Sequence, residues 1–410
     1  MDIILSDGSI GRGSVPSGAS TGINEATEIR DGNTSRFVGM GVLKAVENVR
    51  GPITDTLHSL GDSITNQEIL DRTLIDLDGT SEKSNMGANA LLSVSMAAAR
   101  AVARSLKIPL YAHLNGGARL TLPVPMLNIL NGGAHAEGST DIQEFMVVPA
   151  GFNTFSRALR AGVEIYHTLK HILSENGLST NVGDEGGFAP NVRSNQDALE
   201  LVLKSIEEAG YKPGEECFIA IDVAASELIS TDGKYSLGKE GITLHRNQML
   251  DLYEDWVSRY PIISIEDGLS QTDWDGWVNL TTRLGHKTQL VGDDLYTTNL
   301  NLIIQGISKK ASNAVLVKLN QIGTVTETIE GIKAAKTAGW GTVISHRSGE
   351  TEDTIIADLA VSTNAGQIKS GAPARGERTA KYNRLLRIEE ELGDQVLFSK
   401  IDPYQSFIRH

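Results

Sequence analysis

The sequence predicts an α/β protein in two parts: a small N-terminal α+β domain over residues 1–117, then a TIM-like (β/α)8 barrel over residues 118–410 that holds the active site. Three observations carry this prediction. From about residue 119, short apolar runs end abruptly in polar residues, at Asp222, Glu266, Asp293, Lys318, Ser348 and Lys369. Helical segments separate the runs, so a strand-then-helix unit recurs roughly every 25 residues. The length left after the small domain suits a barrel of roughly 250 residues with extra loops.

Taken in order, Ile3-Ile4-Leu5, an Asp7-Gly8 turn and the run from Ile10 to Val15 predict a hairpin. Residues 88–107, rich in Ala and Ser and followed by Pro109, predict a helix whose small side chains let its neighbours approach closely. The Asn115-Gly116-Gly117 turn closes this part. In the barrel the clearest helix spans residues 194–209: Ser194 caps it, Asp197 follows three residues later, Leu199, Leu203 and Ile206 form its stripe, and Gly210 stops it. A leucine-rich solenoid also repeats one strand per unit, but the L-x-x-L-x-L signature is absent. A doubly wound open sheet would carry a G-x-G-x-x-G turn after its first strand, and none stands in that context.

Composition sets the class. Hydrophobic residues make up 40% and charged residues 21% of 410, which excludes a disordered or collagen-like chain. The net charge of −14 is spread along the chain, unlike the clustered basic field that nucleic acid requires, so no nucleic-acid partner is expected. A single cysteine, Cys217, excludes an intramolecular disulfide or a Cys-based zinc site and suits a reducing compartment. The first residues lack a basic n-region and no apolar run reaches membrane-spanning length, so the expectation is a soluble, cytoplasmic protein with no membrane span.

In a barrel the polar strand ends converge on one mouth. An acid at one strand end has an ordinary explanation as a helix cap. Asp222, Glu266 and Asp293, from successive strands, point instead to a shared hard cation such as Mg2+ or Mn2+, because three carboxylates repel unless protons or a cation neutralise them. Lys318 ends an apolar run, where a lysine is either paired with an acid or lowered in pKa as a general base requires. His346-Arg347-Ser348 and Lys369 add a bidentate donor, a hydroxyl and a further cation, suited to a phosphate and a carboxylate. Two polar, glycine-rich segments stand out in apolar surroundings: Asn128 to His135 with Gln143-Glu144 following, and Gly183 to Gly187 around Glu185. Gly18-Ala19-Ser20-Thr21-Gly22 matches the G-x-S-x-G elbow of serine hydrolases, but Pro16 before it and the charged stretch after it do not suit the buried strand and helix that elbow needs. A glycine loop that folds over a substrate fits better.

Longer blocks carry a resemblance: VPSGASTG (15–22), NGGAH (131–135), QEFM (143–146), VGDEGGFAPN (182–191), SIEDGL (264–269), GDDL (292–295), VKLNQIGT (317–324), SHRSGETED (345–353) and GQIKSGAPAR (366–375). In these blocks, which span essentially the whole chain, the sequence resembles the enolase (phosphopyruvate hydratase) family. The resemblance implies a barrel of the enolase type, a homodimer, and Mg2+-dependent dehydration of 2-phosphoglycerate with two ions per site. It implies that Asp222, Glu266 and Asp293 hold the first ion and that Ser20 joins the substrate phosphate in holding the second. Lys318 matches the base at C2 and Glu185 the acid at the C3 hydroxyl, with Glu144 and His135 in support. Gln143, Arg347, Ser348 and Lys369 match substrate contacts. The chain enters within the second strand of the family's small domain, without the preceding strand and its DSRGNPT segment, part of the family's dimer interface; an enolase-like relative with little activity or a binding role is the alternative this raises. A superfamily member acting on a sugar acid is another, against which Arg347, Ser348 and Ser20 favour a phosphorylated substrate. Asn24, Ile355 and Gly376 also differ from the family pattern, and none replaces a matched site residue.

Overall fold

The computed structural model describes residues 1–19, 21–136 and 138–407. The predicted hairpin forms with shorter strands, β1 (Asp2–Ile4) and β2 (Ile10–Arg12), in antiparallel register Ile3↔Gly11. Behind it pack helices α1 (Gln67–Asp78) and α2 (Ala88–Ser105), with Ile3, Leu70, Leu74, Leu91 and Val94 in a small core. The Ala- and Ser-rich composition of α2 has the cause expected of it. At Gly11 a Cβ would lie 1.9 Å from Ala97 O and 2.3 Å from the Ala101 N, so strand and helix touch backbone to backbone.

The barrel closes from eight strands in chain order: β3 (Val124–Asn131), β4 (Glu144–Val148), β5 (Phe218–Asp222), β6 (Ile262–Glu266), β7 (Gln289–Gly292), β8 (Ala314–Val317), β9 (Gly341–Ser345) and β10 (Gly366–Lys369), which returns to β3. Their apolar residues and those of the surrounding helices make the large core. The strand-then-helix pattern fails at one place. β4 runs antiparallel to both β3 and β5; the described residues between β3 and β4 form no helix beyond the turn Gly133–His135, and a parallel return usually crosses over through an α-helix. Asn128 to Asn131 therefore belong to a buried strand, not to a loop. The reversal brings the start of β4, Gln143 and Glu144, to the same mouth as the end of β3.

Helices α3 (Phe155–Glu175) and α4 (Asn195–Glu208) carry the chain from β4 to β5. α4 starts as its sequence predicts, with Ser194 Oγ accepting from the Asp197 N–H at 3.0 Å. The N-terminal part is fastened to the barrel at the start of helix α5 (Val325–Thr337). There Ser95 Oγ accepts from the Val325 N–H at 3.0 Å and Asp71 Oδ2 from the Thr326 N–H at 2.9 Å, while Lys83 pairs with Glu327 at 2.8 Å. Helix α6 (Gly376–Leu392) follows β10. Among the described residues no helix is long and apolar enough to cross a membrane.

Two glycine substitutions test this packing. Gly11→Ala should lower stability by about 1–3 kcal/mol, since its methyl meets backbone that cannot give way. Gly376→Ala, at the open start of α6, should be neutral or add up to about 1 kcal/mol. Denaturant midpoints read both, and equal effects at the two sites would contradict the close strand–helix contact.

Candidate active site

Barrel register builds the mouth. Glu144 pairs with Asp222 across β4–β5, and Asp222 with Glu266 across β5–β6, so three carboxylates stand in one row on adjacent strands. Lys369, the last residue of β10, answers the row: its Nζ lies 2.9 Å from Asp222 Oδ2, 2.8 Å from Glu266 Oε1 and 3.1 Å from Glu144 Oε1. Burial works against the ammonium, but Asp222, Glu144 and Glu266 outweigh it and hold the Lys369 pKa well above its ordinary value. Burial and the Glu185 charge raise Glu144; burial and Asp222 raise Glu266. Gln143 Nε2 donates to Asp222 Oδ2 at 3.4 Å.

Asp293 and Lys318 stand one residue beyond β7 and β8 and pair directly. Gln321 Nε2 donates to the other Asp293 oxygen at 2.8 Å. Burial would raise Asp293 but Lys318 holds it low; burial would lower Lys318 but Asp293 holds it high. Of the two states the sequence left open for Lys318, the structure has the acid-paired one. Next to them Asp267 accepts from the backbone N–H groups of Asp293 and Asp294 at 2.9 and 3.0 Å and so shapes the β7 turn. Burial, then the neighbouring Asp293, pushes Asp294 up to about 7.

Glu185 comes from the Gly183–Gly187 loop and is buried. Asn128 Nδ2 donates to its Oε2 at 3.0 Å, and His346 Nε2 lies 3.2 Å from its Oε1. His135 Nδ1 lies 3.8 Å from Glu185 and 3.9 Å from Glu144. Burial alone would raise Glu185, but the His346 and His135 rings and Lys369 hold it well below the carboxylate range. Arg347 forks onto Glu25, with NH1 2.9 Å from Oε2 and NH2 3.1 Å from Oε1. Ser348 Oγ accepts from the Ala19 N–H at 2.6 Å. The segment from Ala19 to Glu25 is thus bonded to the barrel mouth as the loop reading expects, while Ser20 itself lies outside the described residues.

A cavity of about 410 Å³ opens here, and every sequence-predicted site residue except Glu266 and Ser20 lines it. The carboxylates read as one ligand set are divided, with Asp222 and Glu266 sharing Lys369 and Asp293 held by Lys318. The groups whose ligand atoms all approach within 4.8 Å are His135–Glu144–Glu185 and Asp267–Asp293–Asp294. Sequence reasoning passed over Asp267, Asp294, Gln321 and Glu25. Asp267 follows Glu266 directly, where a strand would turn it outward, and only its φ of 42° brings it back.

The donor set fits a hard divalent cation. It is all carboxylate oxygen on the Asp222–Glu266–Asp293 side, and Glu266 Oε2 and Glu144 Oε2 are buried without hydrogen-bond partners. The sequence matches two family models, "Enolase, N-terminal domain" over residues 1–114 and "Enolase, C-terminal TIM barrel domain" over residues 119–406. With both halves matched in order over nearly all of its length, and with the closed barrel the second of them describes, the chain belongs to the enolase family.

Proposed function

We propose that the chain catalyses the reversible dehydration of 2-phosphoglycerate to phosphoenolpyruvate and water, as a Mg2+-dependent hydro-lyase of glycolysis and gluconeogenesis acting in the cytoplasm as a homodimer. The observation that carries this reading is that a candidate base, Lys318, and a candidate acid, Glu185, line one cavity together with Arg347 and Lys369. Removing a proton from carbon beside an ionised carboxylate puts a second negative charge on that carboxylate, and only concentrated positive charge makes the step accessible. Asp222, Glu266 and Asp293 would hold one Mg2+, and Ser20 with the substrate phosphate a second. When bound, the ions supply Lewis-acid stabilisation of that charge.

The chain's own residues divide the remaining work. Lys369 stays cationic and faces the substrate carboxylate. Arg347 and Ser348 take the phosphate, Arg347 through the planar fork that Glu25 now fills. Lys318 takes the C2 proton. Burial, Arg347 and Lys369 all favour its neutral amine, and its pKa stays high through Asp293, with Glu266 adding to it; engaging those carboxylates elsewhere frees the amine. Glu185, ionised as it stands, gains a proton for the departing C3 hydroxyl as burial raises its pKa once substrate takes up the surrounding positive charge, with Glu144 and His135 beside it and Gln143 at the substrate.

Turnover of 2-phosphoglycerate, followed by ultraviolet absorbance of the enol product, should require Mg2+, stop with EDTA and resume when Mg2+ is restored. Turnover of an unphosphorylated acid alone would overturn the assignment. Lys318→Ala should lower kcat by about 10²–10⁴-fold and abolish exchange of the C2 proton with deuterated solvent, with the circular dichroism spectrum unchanged. Glu185→Gln should lose a similar factor in dehydration yet keep the exchange; equal loss of both reactions would merge the two roles.

A further inference from the structure

Arg378 lies in the first turn of α6, is 1% exposed, and has no part in the assignments above. A buried cation there faces the positive end of the helix dipole, so its retention calls for specific partners. Its NH1 donates to the Arg347 carbonyl at 2.5 Å, and its NH2 donates to the Ser348 and Asp184 carbonyls at 2.6 and 3.1 Å. NH1 also lies 2.6 Å from His346 Nδ1.

A guanidinium has no acceptor, so Nδ1 must present its lone pair. Burial keeps His346 neutral by lowering its pKa to about 3. A neutral ring with an accepting Nδ1 carries its proton on Nε2, the atom 3.2 Å from Glu185 Oε1. Gly371 locks the three together. It sits at φ +77°, and a Cβ there would come 2.8 Å from Glu185 O, 2.9 Å from Arg378 Cδ and 3.0 Å from His346 Cε1.

The geometry points to Arg378 as a positioning residue: by donating to Nδ1 it fixes His346 as the Nε2–H tautomer and so leaves a neutral Nε2–H, not an imidazolium, 3.2 Å from Glu185 Oε1. This rests on the reading of Glu185 as the group that serves the leaving hydroxyl. Asn128 Nδ2 donates to Oε2, and the neutral His346 ring stands against Oε1. His346 cannot take a second proton while Nδ1 faces the guanidinium, so it stays neutral beside Glu185. The charged groups that face it are Glu185 and Arg378, with Lys369 further out.

Ring-nitrogen NMR of ¹⁵N-histidine-labelled protein tests this, with His346→Gln identifying the resonance. The wild type should show a protonated Nε2 and a bare Nδ1 throughout the neutral pH range. In Arg378→Met a protonated Nδ1 should emerge, and kcat should fall about 10- to 100-fold with KM nearly unchanged, as when an orienting partner of a histidine is lost. Arg378→Lys, which keeps one cationic donor, should recover part of both. A wild-type Nδ1–H tautomer, a wild-type imidazolium, or a tautomer unaltered in Arg378→Met would each overturn the proposal. Should Arg378→Met fail to fold, the wild-type spectrum and Arg378→Lys decide. A chain that turns over no 2-phosphoglycerate but changes tautomer in Arg378→Met keeps the positioning role and loses only the dehydration reading.

Discussion

One buried ammonium, that of Lys369, makes the rest of the barrel mouth possible. The sheet register leaves Glu144, Asp222 and Glu266 no choice but to face one another on adjacent strands, an arrangement that is destabilising for like charges. Removing one partner from a buried ion pair costs about 3–5 kcal/mol, and here a single side chain serves three acids at once. Apolar residues at those positions would make a more stable barrel. The row therefore reads as a site held at the expense of stability, and Lys369 is the residue the fold can least replace there.

A second constraint is the reversal of β4. An all-parallel barrel presents only strand C-terminal ends at its active mouth. With β4 inverted, a strand start also faces that way, which admits Gln143 and Glu144 beside Asp222. The N-terminal part completes the mouth from the other side. Its α1 and α2 cap α5, and the segment that follows β2 brings Glu25 onto Arg347. Glu25 places a carboxylate in a guanidinium fork shaped for a planar or tetrahedral anion, so any anion entering there would compete with this segment for the same donors.

Much of this was legible in the sequence, for physical reasons. Strand ends such as FIAID and IISIE announce themselves because an apolar run buried on both faces stops where the chain meets the mouth. The Ala-rich α2 was legible through its small residues, and α4 through its cap. The β4 reversal was not, because EFMVV reads equally well in either direction. Asp267 was hidden by a backbone conformation, Lys318's partner by a contact between strand ends, and Arg378 by lying in an ordinary polar helix start. Each depends on three-dimensional proximity with no local period to report it.

Charge balance links the mouth to its chemistry. Lys318, Lys369 and Arg347 share the cavity lining with Glu144, Glu185, Asp222, Asp267, Asp293 and Asp294, so carboxylates outnumber cations there as they do over the whole acidic protein. Burial raises Glu144, Glu266, Asp267 and Asp294, meaning that protons would otherwise make up the difference. A hard divalent cation would compete with those protons for the same oxygens. Neutral His346 belongs to the same logic: a charged imidazolium beside Glu185 would hold its carboxylate ionised, whereas a neutral ring leaves that carboxyl freer to change charge.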